Sequence, residues 1–233
     1  MTSRAVVEWA VSSPVWLSAV DIFTGERPQL PYDVHLDVME GASWVETDVP
    51  ATRTPHGAVA YPRLGRVASG TGVTRFRVRF GSDHYLPVDP PGAAGGIEFS
   101  LDPAHPVVPA QPQVMSFAPT PAYPYPPAIR TLYGRVTHQT SGAPAAGALV
   151  AGRPEVAAVG APWPERAATD ADGRYVVALR WAGTPAGPGA ERFELLATTQ
   201  PPSAPRSGRV LLTLPPGPRL PAAQRGPHAI EIL

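Results

Sequence analysis

Proline is the feature that most limits what this chain can fold into. Thirty-two of its 233 residues are Pro. A proline inside a helix costs about 3 kcal/mol, because it lacks an amide donor and its ring meets the preceding turn. Prolines at this density exclude a helical bundle and a doubly wound α/β domain. Glycine contributes 22 more residues without a Gly-X-Y period, which excludes a collagen helix. The apolar content opposes disorder: 43% of residues are hydrophobic and five are Trp. The expectation is an all-β protein with Pro-rich loops.

The hydrophobic pattern agrees. Tyr32, Val34, Leu36 and Val38 alternate with Asp33, His35 and Asp37, as in a half-buried antiparallel strand. In Thr74-Arg75-Phe76-Arg77-Val78-Arg79-Phe80 the aromatic and aliphatic side chains point one way and three Arg the other. Residues 15–20, 57–61, 132–136, 148–150, 173–179, 192–196, 210–214 and 229–232 also read as strands. No convincing helix exceeds about two turns. Between 86 and 127 the character changes, with Pro at 12 of the 42 positions. That stretch predicts an extended linker, with a short strand at Ile97-Glu98-Phe99-Ser100-Leu101.

Charge and cysteine narrow the function classes. Nineteen basic and nineteen acidic residues cancel, so nothing draws the chain towards nucleic acid or acidic lipid. Zero net charge favours association instead. Every basic residue of the 19 is Arg, which reads as the codon usage of a GC-rich genome. There is no Cys, hence no disulfide, zinc-thiolate site or cysteine nucleophile. Glu8 interrupts the first apolar run and Ser12-Ser13-Pro14 follows, unlike a secretory signal. No apolar stretch is long enough to span a membrane as a helix. The expected location is the cytoplasm, with release as part of a particle as the alternative.

The two halves of the chain align with each other. Thr24-Gly25-Glu26-Arg27-Pro28 matches Ser141-Gly142-Ala143-Pro144 at a spacing of 117. Gly57 in Thr54-Pro55-His56-Gly57 matches Gly173 in Asp170-Ala171-Asp172-Gly173 at 116, and Arg75-Phe76 matches Arg192-Phe193 at 117. Three separate signals within one residue of a single spacing point to a duplication. The boundaries that follow are an N-terminal sandwich over 1–88, a Pro-rich linker over 89–130 and a C-terminal sandwich over 131–233.

The C-terminal half carries Tyr133-Gly134-Arg135-Val136, Ser141-Gly142-Ala143-Pro144, Ala146-Gly147-Ala148-Leu149-Val150 and Ala168-Thr169-Asp170-Ala171-Asp172-Gly173-Arg174-Tyr175. On these motifs it resembles the carboxypeptidase regulatory-like (transthyretin-like) domain. It implies two tandem transthyretin-like/Ig-like Greek-key sandwiches, the first a degenerate copy in which Thr54-Pro55-His56-Gly57 replaces the Asp-containing turn. In metallocarboxypeptidases such a domain accompanies the catalytic one and carries no zinc ligands, so the resemblance implies a scaffold or adhesion module. The segment Phe117 to Pro127, running into Gly134-Arg135-Val136, is similar to proteins of phage-tail-like contractile injection clusters.

Chemistry-bearing motifs are sparse. Asp170-x-Asp172-Gly173 suggests a calcium loop, but placing Gly173 sixth puts Ala168 first and Leu179 twelfth, where ligands belong. A β-turn is the simpler reading. Ser82-Asp83-His84 has triad residue types, yet adjacent residues on a strand point to opposite faces. The histidines at 35, 56, 84, 105, 138 and 228 show no metal-ligand spacing. Gly70-Thr71-Gly72 and Gly92-Ala93-Ala94-Gly95-Gly96 lack the Lys of a phosphate loop. Arg75, Arg77 and Arg79 form a ridge that reads as a solvated face, a protein interface or a phosphate contact. Of the tryptophans at 9, 16, 44, 163 and 181, Trp163 sits between two prolines, where it packs on its own loop, anchors a partner or binds sugar.

The reading is therefore a non-enzymatic structural or adaptor subunit that docks on protein partners in a large assembly, such as a phage-tail-like contractile injection particle. Self-association within the assembly is included. No cofactor, metal, nucleic acid or membrane span is expected. The candidate partner-binding residues are Arg75, Arg77, Arg79, Tyr123, Tyr125 and Trp163. The alternative is a carbohydrate-binding or adhesive module. The linker is expected to be a strap whose order depends on partners.

Overall fold

A computed structural model describes residues 13–64, 72–90, 95–102, 104, 111–155, 163–180, 182–201, 204–217, 220 and 222–233. Trp9, Trp181, His105, Gly70 and Gly92 lie outside these residues. The described chain is nearly all β. One sheet runs β4 (Thr52–Arg53), β5 (Ala58–Ala60), β1 (Trp16–Asp21), β9 (Gln113–Pro119), β7 (Tyr85–Asp89). A second runs β3 (Ser43–Glu46), β2 (Asp33–Glu40), β6 (Thr74–Gly81), β8 (Ile97–Leu101). A third is β13 (Arg174–Ala178), β10 (Thr131–His138), β17 (His228–Ile232). The fourth is β12 (Glu165–Ala168), β11 (Leu149–Pro154), β15 (Glu191–Thr198), β14 (Thr184–Pro185), and β16 (Ser207–Leu214) also pairs with β15. A single helical turn, α1, spans Ala222–Arg225.

The strand orders repeat. The run β5-β1-β9 in the first sheet has its counterpart in β13-β10-β17, and β3-β2-β6-β8 in β12-β11-β15-β16. β1 pairs antiparallel with β5, as β10 does with β13. The turns repeat as well. The Gly25 amide donates to Asp21 O at 2.8 Å and the Gly142 amide to His138 O at 2.7 Å. Gly57 and Gly173 both sit at positive φ, +82° and +73°, which a side chain would strain. Asp170 Oδ1 accepts the Arg174 amide at 2.9 Å, and in the other turn Thr54 Oγ1 accepts the Ala58 amide at 3.1 Å. A hydroxyl thus does in the first turn what a carboxylate does in the second.

Compact units do not follow the expected boundaries. One unit comprises Met1–Ser18, His35–Val78 and Glu98–Gln113; the other comprises Ala19–Val34, Arg79–Ile97 and Val114–Leu233. Five strands, β1, β2, β6, β8 and β9, are shared between the two residue sets. The stretch 89–130 also differs from the expected linker, because beside the expected strand β8 it contains β9. β9 escapes the alternation rule because its last five residues are all at least half-buried, and Pro119 closes it. β7 escapes because of Pro87, tolerated on the outermost strand of its sheet beside a register shift between Pro87 and Asp89.

In the first unit Leu17, Val59, Tyr61, Leu64, Phe76 and Val78 are buried, and Phe76 stacks on Phe99 with ring centroids 5.6 Å apart. In the second unit the third and fourth sheets face each other across Leu132, Val136, Val150, Ala167, Tyr175, Val177, Phe193, Leu195, Ile230 and Ile232. Gly134 explains how β10 and β17 lie so close in parallel: a Cβ there would fall 1.8 Å from His228 O. The Tyr175 hydroxyl donates to that same carbonyl at 2.9 Å. Thr169 ties the neighbouring loop, donating to Ala145 O at 2.6 Å and accepting the Ala148 amide at 2.8 Å.

Candidate functional site

A cluster of polar and aromatic side chains lies in the second unit, around Asp21 at the end of β1. Asp21 is buried. Its Oδ1 accepts the Phe23 amide at 2.8 Å, an Asx turn that reverses the chain after β1. Its Oδ2 accepts two phenols, Tyr85 from β7 at 3.1 Å and Tyr123 from the Pro-rich segment at 2.9 Å. Phe23 then meets Tyr123 and Tyr125 edge-on at 5.5 and 5.0 Å, and the two tyrosines lie 4.8 Å apart. On the far side Arg180 lies 4.7 Å over the Phe23 ring and donates to the Phe23 carbonyl. Its guanidinium pairs with buried Glu165 of β12 at 3.1 Å.

This cluster holds residues 119–130 as a strap. The Thr120 amide donates to His84 O at 3.0 Å, and the His84 ring lies 2.9 Å from Ala122 O. The Tyr125 hydroxyl donates to Val176 O of β13 at 3.2 Å. Beyond it the Ile129 amide donates to Pro126 O at 2.9 Å. Arg130 is buried, pairs with Glu191 at 3.1 Å and lies 4.7 Å over Phe193. A proline-rich segment loses little chain entropy on docking, and three side chains, Tyr123, Tyr125 and Arg130, supply its anchors.

Electrostatics favour a holding role for these groups. Burial, then Asp21, pushes the Tyr85 phenol up to about 12. Burial and the Asp21 hydrogen bond raise Tyr123, and burial raises Tyr125. These phenols keep their protons at neutral pH, so they donate hydrogen bonds and are poor bases. Burial also raises Glu165, and the bonds from Arg180 partly offset it.

The sequence-derived candidates fall in different places. Tyr123 and Tyr125 meet each other in the clasp, half-buried. Arg77 of β6 binds Asp37 of β2 through two nitrogens at 2.9 and 2.6 Å, and Arg75 pairs with Glu98 of β8 at 2.6 Å. Trp44 of β3 lies under both, 4.8 Å from Arg77 and 5.7 Å from Arg75. The ridge is thus a cross-strand ladder over β3, β2, β6 and β8. Arg79 is half-buried and partnered as well. Trp163 is half-buried with the Arg153 guanidinium 4.1 Å over its ring, and Arg153 pairs with Glu194 at 2.8 Å.

Asp170-x-Asp172-Gly173 forms a β-turn in which Asp170 Oδ1 accepts the Asp172 and Arg174 amides, both at 2.9 Å. Ser82 donates to Pro31 O at 2.9 Å, directed away from triad geometry. Among the described residues no three His, Asp or Glu side chains converge as a metal site, and no helix is long and apolar enough to cross a membrane. Sequence reasoning missed Asp21, Phe23, Tyr85, Glu165 and Arg180. Asp21-Ile22-Phe23-Thr24-Gly25 was the one local signal; Asp21 is met by Tyr123 from 102 residues away and Phe23 by Arg180 from 157.

No protein-family model and no curated protein matches the chain. Among solved structures, a streptococcal ancillary pilin aligns with 94% of this chain and 62% of its own, at 11% identity and a TM-score of 0.24. The chain spans 62% of that pilin's length.

Proposed function

We propose that this chain is a non-enzymatic structural subunit that docks on protein partners in a larger assembly. One observation carries the reading: the side chains best suited to chemistry are engaged in holding the chain together. Asp21 is 1% exposed with three donors on its oxygens, and Glu165 is 3% exposed beneath Arg180. A general acid or base must reach its substrate's proton, and these two face only their own chain. The duplicated strand order supports a scaffold built from two related β-layers. The turns that resemble the carboxypeptidase regulatory-like domain support the same reading, because Thr169, Asp170 and Gly173 act there as loop ties. The finer assignment, to a phage-tail-like contractile injection particle, draws on the resemblance of the Pro-rich segment.

The test is to express the chain alone and together with the proteins encoded beside its gene. The expected result is a stoichiometric complex that survives size-exclusion chromatography. A monomer that never co-purifies with sheath, tube or baseplate proteins refutes the particle assignment. Turnover in a hydrolase panel that is lost in Asp21→Asn or Glu165→Gln refutes the non-enzymatic reading. Glycan binding that is abolished by Trp163→Ala favours the adhesive alternative.

A further inference from the structure

We propose that β16 pairs antiparallel with β16 of a second copy of this chain, extending the fourth sheet across a twofold axis. The inference goes beyond the assembly role by naming a partner and a strand. β16 pairs with β15 along its whole length, Ser207–Leu214. The other side of β15 is taken by β11 and β14, so β16 is outermost. Among the described residues its outer edge meets β17 at its start, where the Leu233 amide donates to Ser207 O at 3.4 Å and a Cβ on Gly208 would fall 1.9 Å from Glu231 O; Arg209 to Thr213 is the open part.

Outer strands expose unpaired amides and carbonyls, and proteins protect them by shortening, charge, proline or bulges. The other outer strands here show such devices. β4 and β14 have two residues each, and β3 and β12 have four. β7 carries Pro87 and a register shift; β13 begins with Arg174, and β8 and β17 carry Glu98 and Glu231. β16 has eight residues, no Pro and no acid. Its one charge, Arg209, is bound by Glu194 at 2.7 Å, as Glu98 of β8 is by Arg75 at 2.6 Å, so what sets β16 apart is its length without Pro or a register shift.

The side chains show what is missing. Val210 and Leu212 face the core beside Leu195 and Phe193, their register partners on β15. Leu195 and Phe193 are buried, whereas Val210 and Leu212 remain half-exposed. On the outer face Leu211 is 57% exposed. An added strand would cover all three.

The strand is its own complement. With the twofold axis at Leu211, that residue meets its copy, Val210 meets Leu212, and Arg209 meets Thr213. No like charges oppose each other, and the chain's zero net charge adds no long-range repulsion between copies. A second copy therefore fits the edge without any change in sequence. Five residue pairs make a contact well below the roughly 1,600 Å² of a standard interface, so the dimer depends on concentration.

Sedimentation velocity over about 1 μM to 1 mM tests this. The wild-type protein is expected to pass from monomer to dimer. Leu211→Lys and Leu211→Glu each place like charges face to face and are expected to weaken the dimer about 100-fold. An equimolar mixture of the two is expected to restore it, since the opposite charges then meet. Circular dichroism checks that both variants fold. As a measurement independent of the variants, the β16 amides of the wild type should gain exchange protection as concentration rises. A wild type that stays monomeric at about 1 mM overturns the pairing, as do variants that dimerise normally or a mixture that stays monomeric. A monomeric wild type that still enters a complex with neighbouring gene products overturns the pairing alone and leaves the assembly role standing.

Discussion

Replacing Asp21 by Ala should release the strap and destabilise the second unit. The magnitude follows from what the carboxylate holds. Its loss leaves the Phe23 amide and the Tyr85 hydroxyl without acceptors in buried surroundings; Phe23 is 9% and Tyr85 3% exposed. A hydrogen bond to a charged group contributes about 1.5–3 kcal/mol, so two stranded donors cost about 3–6 kcal/mol together. Tyr123 is half-buried and regains water, adding little. Tyr123→Phe alone should cost about 1 kcal/mol, because Asp21 retains its two other donors. Urea unfolding followed by circular dichroism and aromatic fluorescence measures both. Tyr85→Phe added to Asp21→Ala should recover part of the loss, because the stranded hydroxyl is gone. An Asp21→Ala cost below about 1 kcal/mol, or strict additivity with Tyr85→Phe, would refute the clasp.

Arg180→Ala should destabilise by about 3–5 kcal/mol, since it leaves buried Glu165 without its cation; Arg180→Lys should rescue only partly, because an ammonium cannot stack on Phe23 and fork onto Glu165 together. Stability should fall between about pH 10 and pH 12 in denaturation curves. Folded Tyr85 and Tyr61 hold their protons to about 12, whereas the unfolded phenols lose theirs near 10. Below pH 10 that contribution is fully present. Gly134→Ala should sharply lower the thermal midpoint, because the new methyl group would collide with the His228 carbonyl and part β10 from β17; an unchanged midpoint would contradict the close parallel pairing.

Strands with a polar and an apolar face were legible in the sequence. The alternation at 74–80 became β6 (Thr74–Gly81), and 97–101 became β8 with the same limits. Strands with proline or without alternation were not: β7 carries Pro87, β12 is Glu-Arg-Ala-Ala and largely buried, and β9 is buried over its last three residues. The matching turns could be read because their glycines are set by backbone geometry: Gly57 and Gly173 both sit at positive φ. The clasp could not. Asp21 and Tyr123 are 102 residues apart, and an Asp before a turn looks the same whether or not two phenols reach it. The Arg ridge was legible as a periodic pattern, but its partners Asp37, Trp44 and Glu98 come from three other strands. The proline-rich segment was legible as extended chain; its anchors depend on side chains from elsewhere in the fold.

The central claim is that the strap belongs to the fold of the isolated chain. Hydrogen–deuterium exchange on the purified monomer at low concentration measures it directly, at the amides of Tyr123, Tyr125 and Ile129, which donate to Thr120 O, Tyr123 O and Pro126 O. The account predicts protection without any partner, lost together in Asp21→Ala. Exchange at the rate of an unfolded chain, slowed only when a partner is added, would contradict it.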